Sequence, residues 1–251
     1  MIQVYFIGAG PGDPELLTVK ALKIIKRADV IVYADSLIDP DICNLAKKGA
    51  EIYGSASLAL EEINRIMAKA AREGKLVARL QSGDPAIFGA IQEQMAFLDA
   101  EKIEYEIVPG VSSLFASAAA LKSELTIPEL SQTVIVTRLE GKTPVPAAES
   151  LRSLAAHGAT MAIFLSVSMI EQVVSELSAG GYSVSTPAAV VYRASWEDEK
   201  IVRSNLSELA QAVKAAGINR QALILVGDFL DSKNKGGVSK LYDATFKHGY
   251  R

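Results

Sequence analysis

The sequence predicts an α/β protein of two domains, and three observations lead there. Short apolar runs rich in Val and Ile alternate with longer stretches of helical period. Turns containing Gly and Pro follow several of those runs, as at Gly8-Ala9-Gly10-Pro11-Gly12 and at Pro109-Gly110. The alternation breaks once, between Ser123 and Gln132, where Pro128, Glu124 and Glu129 interrupt it. The 251 residues are 49% hydrophobic. At roughly 100 to 200 residues per domain they can bury two modest cores.

Val4 to Gly8 is a continuous apolar run closed by glycine, which reads as a buried strand, and Leu16 to Arg27 carries the helical repeat after it. Val30 to Ala34 reads as the second strand. Leu60 to Arg72 displays the helical logic openly: Ile63, Ile66, Met67 and Ala70 fall on one face, Glu61, Glu62, Arg65 and Arg72 lie off it, and Gly74 supplies a stop. Leu76 to Leu80 and Tyr105 to Val108 are the next strands, with helices at Ile87 to Leu98 and Val111 to Leu121. Beyond the break, strands are expected at Thr133 to Thr137, Thr160 to Leu165, Ala188 to Tyr192 and Ala222 to Val226. Helices are expected at Ala147 to Ala156, Met169 to Leu177 and Leu206 to Ala215. A boundary between Pro109 and Ser123 gives an N-terminal domain of residues 1–112, a C-terminal domain of residues 113–231 and a tail of residues 232–251. In that tail Lys233, Asn234, Lys235 and Gly236-Gly237 read as mobile, with Leu241-Tyr242 as a late anchor.

Composition removes several functions. With 26 Lys+Arg against 29 Asp+Glu and no basic block, a broad nucleic-acid surface is not expected. One cysteine, Cys43, permits no internal disulfide and, with only His157 and His248, no zinc site of Cys/His type. Cys43 sits on an apolar pattern and reads as core, and His157 before Gly158 reads as a helix end. The N-terminus enters an apolar run with no basic region before it, and no apolar stretch approaches the ~20 residues of a membrane span. A cytoplasmic protein without a signal peptide or membrane contact is expected.

Three turns carry the chemistry. The first, Gly8-Ala9-Gly10-Pro11-Gly12-Asp13-Pro14-Glu15, lies between strand and helix, where glycines let the backbone come close to a ligand. It resembles a dinucleotide fingerprint, and Asp35 after the second strand mimics the ribose-binding acid. However, the third glycine of G-x-G-x-x-G is replaced by Asp13, and Pro11 and Pro14 lack the N–H groups that a pyrophosphate needs. Asp13 and Glu15 would repel phosphate and read as caps. In the second turn, Gln81-Ser82-Gly83-Asp84-Pro85-Ala86-Ile87-Phe88-Gly89, Asp84 either caps the next helix or accepts from ribose hydroxyls, and it tolerates a cationic ligand. The third, Val108-Pro109-Gly110-Val111-Ser112-Ser113, brings two hydroxyls to a helix start, where capping is the alternative reading.

Taken together, Gly8 to Thr18, Ser82-Gly83-Asp84-Pro85 with Phe88-Gly89, and Pro109-Gly110-Val111-Ser112-Ser113 resemble the tetrapyrrole (corrin/porphyrin) methylase superfamily. Thr137 to Pro146, Val191 to Ile201, Ser239 to Asp243 and His248-Gly249-Tyr250-Arg251 resemble one branch of it, the C11-methyltransferases of precorrin-4 and cobalt-precorrin-4 in cobalamin biosynthesis. The resemblance spans essentially the whole chain.

It implies two α/β domains, each with a mixed sheet flanked by helices and with a trough between them, a homodimer, and S-adenosylmethionine bound at the domain interface. It carries cofactor contacts onto Pro11, Ser82, Gly83, Asp84, Ile87, Ser112, Ser113, Leu165 and Ala194. Many relatives have Gly-Gly-Asp in place of Ser82-Gly83-Asp84 and methionine in place of Leu165. For the carboxylate-bearing tetrapyrrole substrate, Arg138, Lys142 and Arg193 are candidate grips and Asp35-Ser36 a candidate lining. No catalytic side chain is assigned, because an activated methyl donor needs an oriented carbon rather than a protein nucleophile. Methylation at another ring position, such as on uroporphyrinogen III, a nicotinamide-dependent oxidoreductase and a non-catalytic tetrapyrrole carrier are the other readings.

Overall fold

The computed structural model describes residues 2–231 and residues 239, 246, 247 and 249. The expected mobile tract and the Leu241-Tyr242 anchor lie outside the described residues. The chain divides into two compact units, Met1–Ala116 with Arg193–Asp198, and Ser117–Tyr192 with Glu199–Arg251.

The first unit is built on β1 (Val4–Gly8), α1 (Val19–Ile25), β2 (Val30–Tyr33), α2 (Pro40–Cys43), β3 (Glu51–Gly54), α3 (Leu60–Arg72), β4 (Val77–Gln81), α4 (Gln92–Ala100) and β5 (Tyr105–Val108). Its sheet has the order β3-β2-β4-β1-β5, and every pairing in it is parallel. The expectation of a mixed sheet is corrected here: each strand returns through a crossover, which leaves all five pointing one way. Alternate residues feed opposite layers. Val4, Phe6, Val30, Val32 and Val77 pack with Ile63 and Met67 of α3 and Leu98 of α4. Ile7, Ile31, Ala78, Leu80 and Val108 pack with Ile24 and Ile25 of α1 and Ile42 of α2. The near-continuous apolar runs of these strands follow from burial on both faces.

α5 (Ser113–Ala120) spans the division between the units. The second unit continues with β6 (Val134–Arg138), α6 (Leu151–Ala155), β7 (Thr160–Phe164), α7 (Ile170–Ala179), β8 (Pro187–Tyr192), β9 (Lys200–Asn205), α8 (Leu206–Ala215) and β10 (Ala222–Val226). Its sheet is mixed, in the order β6-β7-β10-β8-β9, with only β6 and β7 parallel. Met161, Ile163, Val190, Ile224 and Val226 pack against Leu151 of α6, Val173 and Leu177 of α7, and Leu209 and Val213 of α8. Among the described residues no helix is long and apolar enough to cross a membrane.

Three elements escape the sequence pattern. β3 and β9 are edge strands with exposed Ile52 and Ile201, so the apolar signal of a core strand is missing from them. α2 is a single turn started by Asp39, whose carboxylate accepts from Asp41 N. Three helices begin three or more residues later than expected, among them α6, which Ser150 caps at Leu151 after a 3-10 turn at Ala147–Glu149. Thr18 caps α1 at Val19 after a 3-10 turn at Pro14–Leu16, and left-handed Phe88 (φ 54°) and Ala90 (φ 48°) postpone α4 to Gln92.

Burial also fixes two acids in their neutral forms. Desolvation pushes the Cys43 thiol up to about 11 and the Tyr182 phenol up to about 12, while Tyr182 Oη donates to Ala159 O. The unfolded chain loses these protons first. Stability is therefore expected to fall as pH climbs from about 9 to 11 through Cys43 and from about 10 to 12 through Tyr182. At pH 8 an alkylating reagent should label Cys43 only at the rate of unfolding. Rapid labelling of native protein would contradict this account of its burial.

Candidate functional site

The strand order makes neighbours of β4, β1 and β5, and each of these parallel strands ends in one of the three special turns. Ligands of open α/β sheets sit outside such carboxyl ends. The turns meet backbone to backbone. A Cβ on Gly8 would lie 2.4 Å from Gly110 N and 2.7 Å from Gly83 O, and one on Gly110 would lie 2.2 Å from Gly83 O. Gly10 and Gly83 add a reciprocal pair of hydrogen bonds, Gly83 N to Gly10 O at 2.7 Å and Gly10 N to Gly83 O at 3.3 Å. Ala9 N donates to Gln81 O at 2.8 Å. The reading of the first-turn glycines as room for a ligand is thus corrected for Gly8, which makes room for Gly110.

Asp84 joins the second turn to the third. Its Oδ1 accepts from Ala86 N at 2.8 Å and its Oδ2 from Gly110 N at 2.9 Å. Ser112 is buried, and its Oγ accepts from Leu114 N at the start of α5. Ser113 opens that helix half-buried, and Ile87 is half-buried in the second turn. Below the turns, Arg79 of β4 is buried, with Nε donating to Gln94 Oε1 and Nη1 to Val32 O and Ser55 Oγ. Its acceptors are neutral, and desolvation pushes the guanidinium down to about 10, still charged at neutral pH. At the end of the same strand Gln81 is 6% exposed, and its Nε2 is a buried donor with no acceptor among the described residues.

A fourth segment joins the first unit from far along the chain. Trp196 Nε1 donates to Pro11 O at 2.8 Å, and Ser195 Oγ accepts from Asp13 N at 3.1 Å. These bonds explain why Arg193–Asp198, placed by sequence with residues 113–231, packs with the first unit. Ala194 is buried. Arg193 lies 3.8 Å over the Trp196 ring and pairs through Nη1 with Asp198 at 2.6 Å. Asp35 and Ser36 are exposed after β2, and Asp35 Oδ1 accepts from Ala56 N at 2.7 Å.

Pro11, Ser82, Gly83, Asp84, Ile87, Ser112, Ser113, Ala194, Arg193, Asp35 and Ser36 thus all belong to the first unit. Leu165 and Arg138 belong to the second. Leu165 follows β7 in a left-handed conformation (φ 54°) and is 65% exposed. The Arg138 guanidinium donates to Pro144 O at 2.7 Å and Thr143 O at 3.1 Å. Sequence reasoning gave no separate role to Trp196 or Gln81; the one available signal was that Trp196 is the single tryptophan of the chain.

The donor set discriminates between ligands. None of the three turns carries a Lys or Arg, whereas Asp13, Glu15 and Asp84 are acidic. The first full helix starts at Val19, well beyond Gly10, so no helix N-terminus faces that turn. A diphosphate finds no Lys or Arg in these turns, while a cationic sulfonium would meet their acidic side chains.

A family model for tetrapyrrole (corrin/porphyrin) methylases matches residues 3–210. The chain belongs to that family. This tetrapyrrole methylase is 57% identical over 249 residues to the cobalt-precorrin-4 C(11)-methyltransferase of Methanocaldococcus jannaschii, covering 99% of this chain and 96% of the relative. A solved cobalt precorrin-4 methyltransferase superposes with a TM-score of 0.89 at 52% identity, covering 91% of this chain and 96% of that one. The uroporphyrin-III C-methyltransferase of Thermus thermophilus, solved in complex with S-adenyl homocysteine, has a TM-score of 0.77 at 32% identity, covering 91% of this chain and 99% of that one.

The interlocked glycines of this methylase make a graded prediction. Gly110→Ala should cost about 3 kcal/mol in urea unfolding, because two backbones must move. Gly74→Ala meets no atom within 4 Å and carries only the strain of φ 75°, so about 1 to 2 kcal/mol is expected. Equal costs would mean that the turns do not depend on their mutual approach.

Proposed function

We propose that this protein is an S-adenosylmethionine-dependent methyltransferase acting on carbon 11 of precorrin-4, in its cobalt-containing form, within cobalamin biosynthesis. The observation that carries the reading is the 57% identity to a cobalt-precorrin-4 C(11)-methyltransferase across 99% of this chain. The acidic, phosphate-averse turns support the cofactor half of it.

When bound, the cofactor would supply a sulfonium methyl group that an electron-rich ring carbon attacks in line, the new carbon–methyl bond forming as the sulfur–methyl bond breaks and S-adenosylhomocysteine leaves. The protein's task is then to hold and to orient. Pro11, Ser82, Gly83, Asp84, Ile87, Ser112, Ser113 and Ala194, with Leu165, are the proposed cofactor contacts. Each Asp84 oxygen accepts from one backbone amide, which sets the spacing of Ser82-Gly83 from Gly110, and each keeps a second acceptor site for a ribose hydroxyl. Positioning of this kind can remove roughly 7 to 11 kcal/mol from the barrier. It requires no nucleophilic side chain.

On the substrate side, Arg138 donates only to carbonyl oxygens among the described residues, so its charge remains available to a ring carboxylate. Arg193 already pairs with Asp198 and is the weaker candidate. Asp35 and Ser36 are the remaining proposed lining residues. The family resemblance also implies a cytoplasmic homodimer, and exposed Ile107 and Phe115 are apolar surface that a second copy would cover.

Calorimetry of the full chain should show S-adenosylhomocysteine binding at micromolar Kd or tighter, about 8 kcal/mol or more, and no NADH binding. NADH binding without S-adenosylhomocysteine binding would overturn the reading in favour of an oxidoreductase. One turnover with cobalt-precorrin-4 should add a single methyl group, located at carbon 11 by NMR; a methyl elsewhere on the ring would reassign the substrate. Arg138→Ala should raise KM for the ring about tenfold, equivalent to about 1.4 kcal/mol, with S-adenosylhomocysteine affinity within about twofold. Arg138→Lys should recover only part of the loss.

A further inference from the structure

The Pro11–Gly12–Asp13 turn is held residue by residue from a segment more than 180 positions away. Trp196 takes the Pro11 carbonyl at 2.8 Å, and Ser195 Oγ takes the Asp13 amide at 3.1 Å. Between them the indole lies so close to Gly12 that a Cβ there would sit 2.2 Å from Cδ1 and 2.4 Å from Nε1. Glycine at this position is therefore required by the indole. Pro11 has no N–H and its carbonyl already accepts a bond, so it offers a ligand an apolar ring held in a fixed place.

The loop that delivers Trp196 is itself constrained. Arg193 (φ 47°) and Ser195 (φ 70°) are non-glycine residues in the left-handed region, a conformation that persists only where the surroundings enforce it. Behind the indole, the Arg193 guanidinium stacks at 3.8 Å and is fixed by Asp198 at 2.6 Å. The arrangement is a layered brace, from carboxylate to guanidinium to indole to glycine turn.

We propose that Trp196 is a positioning residue for the cofactor turn: its ring and N–H hold Pro11-Gly12-Asp13 in the form that receives S-adenosylmethionine, and Arg193 with Asp198 supports the ring from behind. This rests on the cofactor reading above, and it places Arg193 on the cofactor side of the reaction rather than among the grips for substrate carboxylates.

Trp196 is the only tryptophan in the chain, so its fluorescence reports on this turn alone. Titration of the full-length protein with S-adenosylhomocysteine should change tryptophan emission with the same Kd that calorimetry gives. Trp196→Phe keeps a ring but removes the N–H, and should weaken S-adenosylhomocysteine about fivefold. Trp196→Ala should weaken it further, with KM for the ring substrate within about twofold in both variants. If the Ala variant does not fold, the Phe variant and the wild-type emission still decide. Wild-type protein that fails to bind S-adenosylhomocysteine overturns the cofactor reading and this inference together. Wild-type protein that binds, with unchanged affinity in Trp196→Phe or an emission that ignores the ligand, overturns this inference alone. A lower melting temperature with unchanged affinity would reduce Trp196 to a packing residue.

Discussion

The first unit depends on the closeness of three peptide backbones. Gly8, Gly83 and Gly110 approach until no side chain fits between them, and the carbonyl of Gly83 is common to both contacts. This closeness lets the ends of β1, β4 and β5 act as one surface rather than as three separate loops. Asp84 reinforces it by spending both carboxylate oxygens on backbone amides, one within its own turn and one in the next. The surface these turns form is consequently main chain whose position is settled by main chain.

Electrostatics follow the same division. The turns carry acids and no bases, which disfavours phosphate and suits a positively charged sulfur centre. Positive charge is kept below the surface instead, where Arg79 binds carbonyl, hydroxyl and amide oxygens of β2, the segment after β3 and α4. A buried guanidinium without a carboxylate is costly. It is tolerated because several hydrogen bonds share the charge, and it ties together the elements on which the turns stand.

The sequence was most legible where its chemistry is local. The apolar runs of β1, β2 and β10 and the amphipathic pattern of α3 announce themselves because burial on one or both faces dictates composition directly. The edge strands β3 and β9 were illegible because pairing with a neighbour, not burial, makes them strands. The late start of α4 was hidden because Phe88 and Ala90 adopt a backbone conformation that their side chains do not favour. At the site, the glycine turns were visible as motifs, but the reason for each glycine was not. Gly8 answers to Gly110, while Gly12 answers to Trp196, and only the folded chain brings those partners together. The roles of Arg138 and Arg193 likewise separate only once their neighbours are known, since in sequence both are simply arginines near strand ends.

The bond between Trp196 and Pro11 spans 185 residues, which has a consequence for how the protein is made. β1 and its glycine turn leave the ribosome early, yet the segment that completes them emerges only when most of the chain has been synthesised. At roughly 5 to 20 residues per second, that interval is on the order of 10 to 40 s. Throughout it the first turn lacks its indole and its serine partner, although the parallel sheet behind it can close once β5 has emerged at Val108. The nascent N-terminal half can thus hold its sheet but not its finished first turn until translation is nearly over.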